Sequence, residues 1–85
     1  MAHGAAAVPK IPPGFVVGAK AVLRTAEGKR LRRVIVASDA PPAATEPVRR
    51  LAREHAVTLV EVPSSSELGR FCGLPRPVAA AAQVA

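Results

Sequence analysis

Three short apolar runs, separated from one another by segments of helical periodicity, constrain the fold of this chain most. The runs are Val34–Ala37, Val57–Val62 and Val78–Val84. A continuous apolar run of this length is typical of a strand that is covered on both faces. Alternation of such strands with helices predicts an α/β fold, a three-layer α/β/α sandwich with a mixed, mostly parallel four-stranded sheet.

The segments before and between these runs predict one further strand and two helices. Phe15–Val17 is the expected first strand, and the next helix has apolar residues at positions 19, 22, 23 and 26 and ends at Gly28. Thr45 is the expected N-cap of the second helix, with Pro47 in its first turn. That helix is expected to end near Ala56.

A third helix is predicted from its capping pattern. Ser64 and Glu67 have the spacing of a capping box, and Gly73 follows as the expected stop. The apolar face of this helix is expected to carry Leu68, Phe71 and Cys72. On that face Cys72 is interpreted as a buried small hydrophobe rather than a nucleophile.

Length and composition predict one small domain with an aliphatic core. The chain has 85 residues, of which 49% are hydrophobic and 2% aromatic. Residues 1–13 are rich in Pro and Ala and predict a flexible arm, which leaves residues 14–85 as the domain. A single cysteine excludes an internal disulfide, and no signal peptide is visible, so we expect a cytoplasmic protein. A monomer is the expected oligomeric state.

The positive charge is concentrated in the first third of the chain. Residues 1–33 hold seven Lys and Arg residues against one Glu, which equals the whole net charge of +6. Such a region indicates a polyanionic partner, most often a nucleic acid. The alternative is a solvated basic face that keeps the protein soluble.

Two basic side chains at the start of the first helix are candidate nucleic-acid contacts. Lys20 and Arg24 lie four residues apart on one face, close to a helix N-terminus that Gly18 opens. Glycine there permits a phosphate to approach the backbone, although a simple bend and two solvated cations remain the alternative. The basic cluster that follows is expected to add affinity: Lys29, Arg30, Arg32 and Arg33.

The loop after the third helix is the second candidate. Arg76 stands between Pro75 and Pro77, so the backbone is stiff where the charge is displayed. Leu74 and Val78 could offer apolar contact to an unstacked base, as RNA recognition requires. A plain helix-to-strand connector is the alternative.

Catalysis is not expected. The sequence has no glycine-rich phosphate loop, no H-E-x-x-H motif and no credible pair of carboxylates. His55 near a helix end is more often a dipole partner than a general base, and Ser38 and Asp39 also fit an ordinary turn. We therefore expect neither cofactor nor metal, and a protein that is not an enzyme.

Four segments, taken together, resemble a known family. They are "GAKAVLR" (18–24), "VIVASDA" (34–40), "VTLVEVPSSSELG" (57–69) and "CGLPRPV" (72–78). In order and spacing they are similar to the kink-turn-binding ribosomal proteins of the archaeal L-seven-Ae and eukaryotic L-thirty-e type and their small bacterial relatives. The resemblance covers residues 14–84. It implies an α/β/α sandwich that clasps a kinked RNA and associates with the ribosome.

The resemblance also implies roles for individual residues. Gly18, Lys20 and Arg24 match the family's helix motif, which contacts tandem sheared G·A pairs, and Ala19 is its small residue. The family contacts a flipped-out nucleotide at the positions of Leu74, Arg76 and Val78.

Two positions depart from the family pattern. Ala21 stands where the family has a carboxylate or amide, and Pro41 stands where some members have a glutamate. The departures leave two alternatives open: a nonspecific binder of ribosomal RNA and a protein-interaction adaptor of the same fold.

Overall fold

Four strands and three helices alternate along the part of the chain that the computed structural model describes, residues 14–28 and 30–84. The predicted arm at 1–13 and Lys29 lie outside the described residues. In chain order the elements are β1 (Phe15–Val17), α1 (Ala19–Ala26), β2 (Leu31–Ala37), α2 (Pro42–Glu54), β3 (Thr58–Val62), α3 (Ser65–Phe71) and β4 (Ala80–Val84).

The strands form one mixed sheet in the order β1-β4-β2-β3. β4 is antiparallel to both of its neighbours, and β2 and β3 are parallel. The predicted α/β fold and mixed sheet are thus confirmed, and β1, β2 and β3 share one direction. The sheet is not mostly parallel in the pairing of neighbouring strands, however. β4 separates β1 from β2, so only one of the neighbouring pairs is parallel.

The direction of β4 follows from the segment that precedes it. After α3 the chain turns back along that helix, and the Val78 N–H donates to the carbonyl of Ser65 at 3.0 Å. The chain therefore returns to the end of the sheet at which α3 began. β4 enters from there, antiparallel to β2. The connection still passes over β2, because β2 lies between β3 and β4 in the sheet.

Two aliphatic clusters, one on each face of the sheet, make the three layers. One face packs against α1 and α2 through residues that include Val22, Leu31, Val34, Val48 and Leu51. The other packs against α3 through Ile35, Ala37, Leu68, Cys72, Val78 and Ala81. Alanines at 80, 81 and 82 are fully buried, and their small side chains allow both layers to approach β4 closely.

α2 begins four residues earlier than the sequence predicts. Pro42 occupies its first position, where the missing N–H costs nothing and the fixed φ suits a helix. Thr45 is therefore not the N-cap: it is 3% exposed inside the helix, and its N–H donates to the carbonyl of Pro41 at 3.3 Å. Pro47 lies within the helix, which ends at Glu54.

β2 also begins earlier than predicted, by three residues, at a β-bulge. Leu31 pairs with Val84 and Arg33 with Gln83, so Arg32 has no partner of its own. A strict period of two would place Leu31 on the sheet face of Ile35, but the extra residue shifts it to the opposite face, where it is buried. Arg32 remains exposed beside it.

α3 has the predicted N-terminal cap. The Ser64 hydroxyl accepts from the Glu67 N–H at 2.9 Å, and the Asp39 carboxylate accepts from the Ser65 N–H at 2.8 Å. The predicted apolar face is partly wrong, because Phe71 is 55% exposed. Its ring meets that of Phe15 edge-to-face at 5.5 Å, beside the buried face.

Replacing Ser64 with alanine is expected to lower the free energy of unfolding by about 1 kcal/mol, because the Glu67 N–H loses its acceptor. The measurement is urea unfolding followed by circular dichroism. Ser66→Ala is the matched control, since Ser66 is exposed on the same helix and alanine favours the helical state. Equal destabilisation by both substitutions would show that the cap contributes nothing specific.

Candidate nucleic-acid interface

One end of the sheet brings the start of α1 next to the entry of β4. The Gly18 N–H donates to the carbonyl of Ala80 at 2.8 Å, and the Ala37 N–H donates to the carbonyl of Ala79 at 2.9 Å. β1 and β2 end there and β4 begins there. The two candidate segments of the sequence, 18–24 and 74–78, therefore meet at the same end of the sheet.

Gly18 is required by its backbone conformation. Its φ of 101° and ψ of 140° belong to a region that only glycine occupies readily. A Cβ built at this position would have no atom within 4 Å, so the surface over the helix start is open. No side chain caps the helix, which leaves N–H groups of its first turn free to bind an anion.

The exposed face of α1 carries the two predicted cations. Lys20 and Arg24 are exposed, whereas Ala19 and Ala21 are half-buried and Val22 is fully buried. One helical turn, about 5.4 Å, separates the two basic residues along the axis. Neither belongs to the one ion pair found among the described residues, so both charges are available to a ligand.

The loop after α3 begins with a Schellman turn. Gly73 has a φ of 79°, and its N–H donates to the carbonyl of Arg70 at 3.0 Å. The Leu74 N–H donates to the carbonyl of Gly69 at 2.9 Å, which completes the motif. Leu74 packs against the cluster beneath α3 and is half-buried. Gly73 is therefore the helix stop that the sequence predicts.

The loop then lies directly on α3, and Gly69 makes this possible. A Cβ on Gly69 would overlap the carbonyl oxygen of Arg76 and lie 3.0 Å from its carbonyl carbon. The Arg76 backbone is thus held against the helix while its side chain is exposed. Val78, by contrast, is 5% exposed and packs in the core. The side chain of Val78 is therefore not exposed for the base contact that the resemblance implies, because entry into β4 turns it inward.

Arg70 is a candidate contact that the sequence did not single out. It lines, together with Arg76, a cavity of about 380 Å³, whose other lining residues are Ser66, Leu74, Pro75 and Pro77. Two guanidinium groups next to apolar atoms can hold a phosphate and a base at once. The sequence feature that points to Arg70 is Gly69 directly before it, because this glycine allows the loop to lie against α3.

The basic cluster that follows α1 lies at the other end of the sheet. Arg30, Arg32 and Arg33 are exposed near the start of β2, whereas the α1 N-terminus lies near its end. β2 spans about 20 Å at ~3.3 Å per residue. These arginines therefore lie at the other end of the sheet from the start of α1, and the affinity that they are expected to add stays a prediction. Arg33 also faces away from α1 and lines a groove with Ile35, Val60 and Phe71.

Polar groups at the strand ends are already engaged within the protein. The Arg49 guanidinium donates twice to Glu61, at 2.8 and 3.2 Å, and the Ser38 hydroxyl donates to the same carboxylate at 3.0 Å. The hydrogen bonds from Arg49 and then Ser38 lower the pKa of Glu61. Since Asp39 caps α3, these groups serve the fold. Pro41 is exposed as the N-cap of α2.

The two other titratable candidates lie at the ends of α2 and α3, which pack on opposite faces of the sheet. Cys72 is fully buried, and burial raises the pKa of its thiol, whereas His55 is the exposed C-cap of α2. Residues 14–28 and 30–84 contain no group of three or more His, Cys, Asp or Glu side chains that could hold a metal ion. Within the same ranges, no helix is both long and apolar enough to cross a bilayer.

These features define a class of small α/β/α domains with a glycine-opened helix and an arginine-bearing loop at one end of the sheet. A family model described as the ribosomal protein L7Ae/L30e/S12e/Gadd45 family matches residues 4–85. The chain belongs to this family, which confirms the resemblance found in the sequence. The match begins inside the segment predicted to be a flexible arm.

Relatives and solved structures agree with this assignment. An RNA-binding protein of Bacillus pumilus is 34% identical over 80% of this chain and 83% of its own. An RNA-binding protein of Caldanaerobacter subterraneus is 33% identical over 86% of this chain and 89% of its own. The 15.5 kD RNA-binding protein of Giardia lamblia superposes with a TM-score of 0.76 at 27% identity. This superposition covers 85% of this chain but 61% of the Giardia protein.

Proposed function

We propose that this protein is a non-enzymatic RNA-binding protein that recognises a kink-turn or a related structured RNA. The relatives named above are RNA-binding proteins, and this chain covers most of the length of the two bacterial ones. The net charge of +6 suits a polyanionic partner. The ribosomal members in the family's description support association with the ribosome. On this proposal the protein acts as a cytoplasmic monomer.

The observation that carries the proposal is the hydrogen bond between Gly18 and Ala80. It fixes the start of α1 against the strand that the 74–78 loop enters. A sharply bent RNA presents two surfaces close together, and this end of the sheet offers two matching elements. The α1 N-terminus supplies free N–H groups and Lys20, and the loop supplies Arg76 on a rigid backbone.

The two elements have different tasks in this proposal. Lys20 and Arg24 contact the G·A pairs of the bend, where each charged donor forms a stronger hydrogen bond than a neutral one. Ala21 offers no acceptor to guanine, so discrimination depends on these cations and on shape. Arg76 and Arg70 hold the flipped-out nucleotide in the cavity between loop and helix.

The test is an electrophoretic mobility shift with an intact kink-turn and with one whose G·A pairs are replaced by Watson–Crick pairs. We expect tighter binding to the intact RNA, since a good base contact is worth about 1–3 kcal/mol of discrimination. The logarithm of the binding constant should fall against the logarithm of salt concentration with a slope of about −3 to −5.

The same measurement separates the alternatives. Equal affinity for both RNAs with a steep salt slope would identify a nonspecific binder of RNA. Absence of binding to either RNA at low salt would favour the protein-interaction adaptor. The chain contains neither Trp nor Tyr, so nucleic acid that copurifies with it would dominate the ultraviolet spectrum and must be removed first.

A further inference from the structure

A second basic cavity lies at the end of the sheet opposite Gly18. It has a volume of about 360 Å³ and is enclosed by the end of α1, the start of β2 and the turn between α2 and β3. Its lining residues are Ala26, Arg30, Leu31, Arg32, His55, Ala56, Val57 and Thr58. Nothing in the proposed kink-turn contact uses this cavity.

Two backbone irregularities build the cavity. The bulge in β2 turns Leu31 into the core and leaves Arg32 exposed at the rim. The turn after α2 places Ala56 at a φ of 53°, which is uncommon for a residue with a side chain. This turn exposes His55 next to the arginines. The two irregularities therefore place Arg32 and His55 in the lining of the same cavity.

The charge of the cavity suits an anion. Among the described residues, its lining contains two arginines and a histidine but no acidic side chain. Glu27 and Glu54 lie on the adjoining helix ends, and neither lines the cavity. Neither arginine takes part in an ion pair with another described residue. Two unpaired guanidinium groups beside backbone polar groups suit the phosphodiesters of a nucleic acid.

The exposed face of α1 connects the two ends of the sheet. Lys20 lies in its first turn and Arg24 in its last, and Ala26 already lines the cavity. The basic positions therefore follow one path from the start of α1 to Arg30. An RNA stem that leaves the bend along this helix would carry its phosphates towards the cavity.

We propose that Arg30, Arg32 and His55 form a second RNA contact, which binds the phosphate backbone of a stem that extends from the primary site. This inference rests on the proposed function, since that site sets where the stem begins. The contact is independent of base sequence, because it reads phosphates alone. It explains why the excess charge continues beyond α1 to the far end of the sheet.

The test compares a short kink-turn RNA with two longer ones, in which each stem in turn is lengthened by one helical turn. We expect one of the longer RNAs to bind more tightly than the short one. In the Arg30→Ser/Arg32→Ser variant this gain should disappear. The affinity for that longer RNA should fall about tenfold, and the magnitude of its salt slope should decrease by about 2. Binding to the short RNA should stay the same.

The matched control is the Arg50→Ser/Arg53→Ser variant, which removes the same charge from exposed positions of α2 that do not line the cavity. It should keep the gain from the longer stem, and melting curves should show that both variants fold. The inference is overturned if neither longer RNA binds more tightly or if both double variants lose the same affinity. Failure of the proposed function would give a different result: the protein would then bind the intact and the G·A-replaced RNA with equal affinity.

Discussion

Replacing Gly69 with alanine is expected to lower the free energy of unfolding by about 1–3 kcal/mol, the usual cost of overpacking a close contact. The added methyl group would overlap the carbonyl oxygen of Arg76. That oxygen belongs to the backbone between two prolines and cannot rotate away as a side chain would. The loop must move, and its hydrogen bond from Val78 to Ser65 must lengthen or break.

The helical preference of alanine opposes this loss only in part. Alanine is favoured over glycine by about 1 kcal/mol inside a helix, so a net gain would mean that the overlap is relieved at little cost. Gly28→Ala is the control for an added methyl group alone, since Gly28 lies outside α1 and nothing lies within 4 Å of its Cβ position. Thermal and urea unfolding followed by circular dichroism suit a chain without Trp or Tyr. Unchanged melting of Gly69→Ala would contradict the close approach of the loop.

The sequence predicts the helices and strands because each carries its own local signal. The apolar run at Val34–Ala37 and the cap at Ser64 depend on neighbours a few residues away. The direction of β4 does not, because it depends on how the chain returns along α3 to Ser65. Likewise the start of β2 at Leu31 depends on pairing with Val84, which no pattern within 31–37 reveals.

The candidate site is also predictable where its residues carry a local signal, and not where it depends on contacts between distant segments. Gly18, Lys20 and Arg76 are visible as an open helix start and a stiff charged loop, and both lie at one end of the sheet. Arg70 was missed because its position beside Arg76 depends on contact between α3 and the returning loop. The sequence counts Arg30 and Arg32 with Lys20 in one basic region, although a strand of about 20 Å separates the two groups.

Replacing Arg76 with alanine is expected to weaken binding to the intact kink-turn by about 1–3 kcal/mol, the range for a bidentate contact of a guanidinium group. The melting temperature should hardly change, because the side chain is exposed and its backbone, not its charge, contacts α3. Arg50→Ala is the control for lost charge, since Arg50 is exposed on α2. A melting loss with intact binding would show that Arg76 is structural.

The Arg70→Ala variant shows whether the two arginines hold the same group. If both bind one phosphate or base in their shared cavity, the Arg70→Ala/Arg76→Ala variant should lose less affinity than the two single losses added together. Additive losses would place them on separate parts of the RNA. Gly69→Ala completes the comparison, because it keeps both arginines but moves one. If it weakens binding as much as Arg76→Ala does, recognition requires the guanidinium group in its place against α3 and not merely its charge.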